Sequence, residues 1–527
     1  LVTGPDPYKS RSDPYMSGAD PYMSGADPYV TRRLREMQGS EKEKAFLLTV
    51  LCAFISVSLL GGGVLPNNGS TAFAAIALTE DGWTQITPSE DSRIIYVSSS
   101  TGDDSNDGLS EETPVKTLAK AASLMRNGYP DHMLLKCGDV WDGVGAKLGA
   151  YYRFFSGRSE SEPAVLSYYG TGARPVIRFG SDGGSFIDHN GQQRSYFAII
   201  GLDFHGYRMD PDDSGFDRNV ISNPPALRFV GGGSNILVED CRFRFAEIVV
   251  QSYGGYEYKD FQLRRCIVVD AYARGTTDYS TNIRPSGIYA SGVDGLLIEE
   301  CVFDRNGWNE RFEDAKANMY NHNMYLQYNN VGNGVAVRGN IVARASSHGI
   351  QGRPGGLYED NLIVQNSIGL LLGYQETELQ PGTIVIARDN VILEGKLMDP
   401  VDNRNPRTAA VWGLDVYNVQ QASVTIERNI VANRRDNGSN MGIKSNPQVV
   451  YVDNIQHKWG GGIGDMNNPA WPDPNRSVGS YHGTLGKEPT LEAFLEMVRN
   501  RGLREWPQEY TAYAVNEYIR EGFGMNE

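Results

Sequence analysis

Residues 236–245 read ILVEDCRFRF, and variants of this phrase return along the chain as far as residue 456. They run FQLRRCIVV at 261–269, LLIEECVF at 296–303, VAVRGNIVA at 335–343, LYEDNLIV at 357–364, VIARDNVIL at 385–393, TIERNIVA at 425–432 and VYVDNIQ at 450–456. Each is an apolar run, a turn-prone polar pair, a Cys or Asn, and a second apolar run. A degenerate copy, FAIIGLDFHG at 197–206, carries Leu202 in the same place. So short a β-rich unit cannot bury its own apolar face, so the copies must stack into a solenoid rather than close as a sandwich.

From Cys241 through Cys266, Cys301, Asn340, Asn361, Asn390 and Asn429 to Asn454 the steps are 25, 35, 39, 21, 29, 39 and 25 residues. The shortest step fixes the bare coil, and any excess is loop. At about 3.3 Å per residue such a coil holds two or three short strands with turns, and it lacks the Leu-x-x-Leu pattern of a leucine-rich horseshoe. The pattern therefore predicts a parallel β-helix, with equivalent residues stacked coil over coil. An inward Asn column can bond its amides along the stack and to turn backbone. Cys241, Cys266 and Cys301 fill the same slot as small hydrophobes, since nothing pairs them at metal-ligand spacing.

This coil pattern, over roughly residues 90–460, resembles the right-handed parallel β-helix proteins of the pectate-lyase-like superfamily. The resemblance implies an all-β, right-handed parallel β-helix solenoid; chemistry has to be read from the site. The opening at Ile94, a strand, a polar turn and a short helix bearing Leu118, Ala121, Ala122 and Met125, is similar to the entry unit of secreted β-helix proteins. There a helix covers the first coil, whose open end would otherwise template aggregation. The tail from SYHGTLGKEPTLEAFL to YTAYAVNEYIREGF looks like that of bacterial secreted β-helix proteins.

The chain has 527 residues and a formal charge of −15. A solenoid of this length buries one continuous core without further domains, and the acidic balance excludes a general nucleic-acid or anionic-membrane binder. Five Cys imply no disulfide framework. Residues 1–44 read as a disordered, low-complexity segment, with Asp-Pro-Tyr at Asp6, Asp13, Asp20 and Asp27. Residues 45–75 read as a signal peptide or membrane anchor: the apolar run 45–66 comes after Arg32, Arg33, Arg35, Lys42 and Lys44, and Ala72-Phe73-Ala74 has a small-x-small cleavage pattern. Either fate sends the remainder out of the cytoplasm. Residues 90–460 form the β-helix, and 461–527 a C-terminal loop and helical cap. Two amphipathic helices are expected there, one with Leu491, Phe494, Leu495 and Val498 on its apolar face, the other with Tyr513, Val515, Tyr518 and Ile519. They are expected to cover the last coil.

Loop excess falls directly after the ladder strand in four coils, at 205–224, 270–285, 304–321 and 394–408. Loops at equivalent corners wall one cleft, beside the strands GIYAS, HNMYLQY, HGIQGR and GLLLGY. Alternation turns Ile288, Met324, Ile350 and Leu370 inward. It turns Tyr289, Tyr325, Gln351 and Leu371 outward, with Ser291, Gln327 and Arg353 two residues on. An outward row that is aromatic, polar and basic suits an extended sugar chain. His322 and His348 enter from the same turn in adjacent coils.

A lyase acting on a uronate polysaccharide by β-elimination needs a cation at the carboxylate, a base for the C5 proton and an acid for the leaving oxygen. Arg353, then His322 or His348, then Tyr325 fill those catalytic roles. Tyr289, Asn321, Asn323, Gln351, Arg311 and Lys316 are the candidate substrate-binding residues. A glycoside hydrolase would need acids on the outward row, and the four strands just quoted hold none. No calcium ligands or other metal motif stands on the groove strands, so no cofactor is implied. A non-catalytic carbohydrate-binding or spike-like β-helix is the remaining reading.

Overall fold

One residue in the left-handed region stands ahead of each ladder position and turns the chain. Asp240, Arg265, Glu300, Asp360, Asp389, Arg428 and Asp453 have φ between 47° and 57°, and Gly339 has φ 64°. Seven of these eight are not glycine, so the sharp corner is imposed by the packing of the ladder residue after it rather than by local backbone freedom. A second left-handed corner, at Phe245, Asp270, Arg305, Arg344, Gln365, Glu394 and Lys458, closes the other end of the short strand. Between the two corners lie three-residue strands such as Ile267–Val269, Val302–Asp304 and Ile341–Ala343.

The computed structural model describes residues 78–525 apart from 147–154, 181–185, 188–191, 276–282, 375, 399–410, 436–439 and 465–469. The disordered segment expected at 1–44 and the signal or anchor expected at 45–75 lie outside the described residues. Among those described, no helix is long and apolar enough to cross a membrane.

From Phe186 onward the coils contribute to three runs of parallel strands. The first, here the groove sheet, includes Ile248–Ser252, Ile288–Ser291, Met324–Leu326, His348–Gly352, Ile368–Gly373 and Trp412–Tyr417. The second includes Tyr258–Arg264, Val293–Glu299 and Val335–Arg338. The third, the short sheet, has eleven strands, from Val140–Asp142 to Ile455–His457. Strands pair parallel with their equivalents one coil on, as in Ile267↔Val302↔Ile341↔Leu362↔Val391↔Ile430↔Ile455. Three coils precede the Cys column, with Asp139, Pro175 and Leu202 just ahead of the paired Val140, Val176 and Asp203. The first two escape the repeat phrase because Asp and Pro stand in the slot.

The Asn column bonds as expected. Asn340, Asn361, Asn390 and Asn429 each donate Nδ2–H to Oδ1 of the next Asn at 2.9 Å. Each also donates its main-chain N–H to the same oxygen at 3.0–3.1 Å. Cys301 N–H joins the column by donating to Asn340 Oδ1 at 2.8 Å. The three slot cysteines are buried and unbonded to one another by disulfide.

Helix α1, Leu118–Leu124, is capped by Thr117 and buries Leu118, Ala121 and Ala122 against Ile95 and Val97, the core of the first coil. The acidic turn beside it is internally stapled: Asp104 accepts from Lys116 N–H and Thr117 N–H, both at 2.9 Å. Among its described residues the C-terminal segment holds three α-helices: α2 (Val478–Thr484), α3 (Leu491–Arg499) and α4 (Ala512–Gly522). Apolar spacing predicts only the last two; α2 is too short for such a pattern, and its start signal is the Ser477 capping box.

These helices lie along the flank, in one apolar cluster with Ile267, Val269, Val302, Ile341, Ala343, Leu362, Val364, Val391, Leu393, Ile430 and Ala432 of the short sheet, and the cluster reaches Ile455 of the last coil, where the Phe523 ring meets His457 at 5.6 Å. The reason is in the strands: IVV, IVA, LIV and VIL are apolar at every position, so both faces need burial. On α4, Tyr513 is 37% exposed, while Asn516 is buried and donates to Asp360 O at 2.9 Å.

Asn390→Leu removes the oxygen that serves both the amide and the main-chain N–H of Asn361, and urea unfolding should register a loss of about 3 kcal/mol or more. Asn390→Cys, which places in the slot the residue that three upper coils already use, should lose clearly less. Equal losses would mean that the column contributes through shape alone.

Candidate functional site

The groove-sheet register places Tyr289↔Tyr325↔Gln351↔Leu371 in one row and Ile288↔Met324↔Ile350↔Leu370 in the next. The second row is fully buried in the main core, as alternation predicts, so the first row faces outward. His322 and His348 stand two residues ahead of the paired Met324 and Ile350, at the corner where the long loops return.

Those loops form one wall. Phe216, Phe312 and Tyr272, from three different loops, stack at 5.7 and 5.8 Å between ring centres. Arg311 reaches Asp212 at 2.7 Å, and Arg274 binds Asp314 through Nε and Nη2 at 3.0 and 2.9 Å. Met398 of the fourth loop packs on Trp308 and Ala317 of the third. Opposite the wall, Tyr328 and Tyr374 stack at 5.4 Å.

Between wall and rim runs a chain of contacts. His348 Nδ1 lies 3.0 Å from Ser347 Oγ and 3.2 Å from His322 Nδ1. The His322 ring meets Tyr325 edge-on at 5.1 Å, and Tyr325 meets Tyr289 edge-on at 5.3 Å. Gln327 donates Nε2–H to Tyr325 Oη at 3.1 Å and accepts from Arg353 Nη1 at 3.1 Å. The Arg353 guanidinium lies over Tyr325 at 4.7 Å and over Tyr374 at 4.1 Å. The sequence-predicted residues His322, Tyr325, His348, Arg353 and Tyr289 are thus brought together, with Gln327 as the link.

Two nitrogens of neutral imidazoles can share a contact only if one carries its proton there and the other does not, so the two rings are opposite tautomers. Both are neutral. Burial holds the His348 pKa at about 3, with the Arg353 charge adding to the effect. Burial, then the His348 and Arg353 charges, hold His322 well below its ordinary value.

Three buried polar atoms around the row have no hydrogen-bond partner among the described residues: Gln351 Oε1, Arg353 Nε and Asn321 Oδ1. Each such atom costs about 1–3 kcal/mol when left unmet, so their concentration at one place marks where a polar ligand would be used. Asn321 spends its other end on Gly307 O at 2.8 Å. Asn323 is different: its Oδ1 accepts from Asn306 Nδ2 at 2.9 Å and its Nδ2 donates to Ala343 O at 2.8 Å, so its amide is spent inside the corner. Arg311 and Lys316 belong to the outer wall, where their charges are taken up by Asp212 and Glu313 rather than by the His–Tyr–Arg chain.

The outward row does hold an acid. One coil past GLLLGY, the strand WGLDVY places Asp415 in register with Leu371, at zero exposure and with its pKa raised to about 6 by burial against the pull of Lys444. It lies beyond the four strands that the loop spacing singles out. Glu247, one residue ahead of inward Ile248, is a second acid that the sequence does not reveal: burial raises it to about 7 although Ser286 N–H donates to it at 3.2 Å. Its signal, a lone Glu at a strand entrance, is too weak to read in a sequence. Among the described residues one group has ligand-like spacing for a metal, His205, Asp210 and Asp213. It is already engaged, His205 with Asp210 at 2.8 Å and Asp213 with Arg178.

No protein-family model matches the chain, and a search of curated proteins finds no match. Solved structures do match, at low identity. The GH136 lacto-N-biosidase from Eubacterium ramulus aligns at 15% identity over 70% of this chain and 66% of its own, TM-score 0.33. A complex of XylC with xylose aligns at 11% over 76% and 81%, TM-score 0.38. Pectate lyase Pel9A aligns at 14% over 78% and 84%, TM-score 0.32. The fold is a parallel β-helix. The strand register itself requires it, stacking parallel pairings coil after coil.

A His348 pKa near 3 in the folded chain and about 6.5 in the unfolded one means that only the unfolded state binds the proton between those values, so this contribution to stability is lost as pH falls below about 6.5. The gap in unfolding free energy between wild type and His348→Gln should therefore narrow by about 2 kcal/mol from pH 7 to pH 5. An unchanged gap would show an imidazole that titrates freely in the native groove.

Proposed function

We propose that the groove binds a uronate-containing polysaccharide and cleaves it by β-elimination. The observation that carries this reading is the contact chain from His348 through His322, Tyr325 and Gln327 to Arg353. It ends in a cation that has no carboxylate partner among the described residues and keeps an unmet N–H.

Arg353 neutralises the sugar carboxylate and so acidifies C5–H. His322, donating Nδ1–H to His348, presents its other nitrogen as the base; it takes the C5 proton, the C–H electrons form the C4–C5 double bond, and the C4–O bond breaks. Tyr325 supplies the proton to the departing oxygen. A depressed pKa keeps His322 in its basic form but makes it a weak base in the empty groove. The bound carboxylate offsets the Arg353 charge that helps depress it, so basicity rises when substrate is present. Gln351 and Asn321 give their unmet oxygens to sugar hydroxyls. Export from the cytoplasm, proposed from the apolar run at 45–66, would bring the groove to such polymers.

Incubation with alginate, pectate, glucuronan and glycosaminoglycan panels should give absorbance of an unsaturated product on at least one. Tyr325→Phe, His322→Ala and Arg353→Lys should each lower kcat at least about a hundredfold. New reducing ends without unsaturation would favour hydrolysis, and binding that survives all three substitutions without any product would favour a non-catalytic groove.

A further inference from the structure

Past the proposed reaction centre the groove does not end at Leu371. In the next coil Asp415 pairs with Leu371, and Tyr417 with Gly373. Lys444, just after the strand Met441–Ile443, extends across them: Nζ is 3.1 Å from Asp415 Oδ1, 3.5 Å from the centre of the Tyr417 ring and 5.4 Å from that of Trp412. This arrangement is held from below. Lys444 N–H donates to Leu414 O at 2.9 Å, and Tyr451 Oη–H donates to Lys444 O at 2.6 Å. Asp415 has no exposed surface; its Oδ1 also accepts from Val416 N–H at 2.9 Å, and its Oδ2 is buried without a hydrogen-bond partner among the described residues. Trp412 and Tyr417 are half-buried.

We propose that Trp412, Asp415, Tyr417 and Lys444 form a second saccharide subsite, and that it takes an uncharged pyranose, plain or N-acetylated. The inference rests on Arg353 holding a uronate, for its force is in the contrast between the two cations. Arg353 has no acid beside it among the described residues. Lys444 is already compensated by Asp415, and a sugar carboxylate placed here would meet a carboxylate. What the pair offers instead is one acceptor and spare ammonium donors side by side, which suits adjacent hydroxyls. The neighbouring rings supply the apolar face that a pyranose needs. Asp415 stands three rungs from Tyr325, through Gln351 and Leu371, or about 14 Å along the solenoid axis, so one extended chain can occupy both places. The polymer so selected carries an uncharged unit about 14 Å from its uronate, as a chain that alternates charged and uncharged units does.

Binding is measured by calorimetry on the Tyr325→Phe protein, so that bound chains are not cleaved. The probes are alternating uronate–N-acetylhexosamine oligosaccharides of four and eight units, and alginate and pectate oligosaccharides of the same lengths. Lengthening the alternating probe should tighten binding about tenfold, close to 1.4 kcal/mol. Lengthening the homouronates should tighten it less than twofold, and Trp412→Ala or Lys444→Met should abolish the tenfold increment. An increment that survives Trp412→Ala, an equal increment for homouronates, or no binding of any probe overturns the subsite. The lyase reading is judged separately by the unsaturated product of the wild-type protein. A Trp412-dependent increment without that product upholds the subsite and rejects elimination.

Discussion

One acceptor oxygen per coil holds this molecule in register. In the lower half of the stack, Asn361, Asn390 and Asn429 each receive two N–H groups from the Asn of the coil above and donate their own amide to the Asn of the coil below. A strand displaced by one residue would lose both bonds and turn every outward side chain inward. Tyr325 and Gln351 would then face the core, and Met324 and Ile350 the groove. The upper coils, where Cys fills the slot, rely on weaker contacts of Sγ with main-chain carbonyls at 3.3–3.7 Å. There the stack is reinforced from outside by ion pairs.

Those ion pairs connect the flank to the groove. Arg499 of α3 binds Asp270 and Asp304, and Arg344 binds Asp304 as well. Asp270 and Asp304 end the short strands from which two of the wall loops depart. Burial raises Asp270, whereas the two guanidiniums outweigh burial at Asp304 and lower it. A charge so enclosed is tolerable only while its partners stay, which makes the helix a clamp on the loop bases rather than a lid on the solenoid end.

The solenoid is legible because its signal repeats: eight copies of one phrase outweigh any local ambiguity, and strand alternation then assigns which side chains share the groove. The link through Gln327 is nearly readable, since that residue stands on the predicted outward row, though nothing in the sequence gives it a role. The lateral course of the C-terminal helices is readable too, in the unbroken apolar triplets, but helices after a last repeat suggest an end cap by position alone. Asp139 and Pro175 hide two coils because a slot needs only a fitting shape, not a fixed residue. Asn323 shows the opposite limit: its type suits a sugar, and only the corner geometry reveals that its amide is spent on Asn306 and Ala343.

Acid placement bears most directly on the chemistry. Paired-carboxylate hydrolysis needs its two acids within about 5 to 9.5 Å. Asp415, buried on its groove strand, and Glu247, half-buried just ahead of another, are separated by five strand pairings, or about 24 Å. Neither can complete a pair with the other, and between them the row is Tyr289, Tyr325, Gln351 and Leu371. Among the described residues no second carboxylate lies within that reach on the row, and paired-carboxylate hydrolysis needs one. The site can still polarise a substrate that brings its own carboxylate. On a chain of formal charge −15, an Arg353 that lies between two tyrosine rings with no carboxylate partner among the described residues is a local exception, and the proposed uronate would supply its counter-charge.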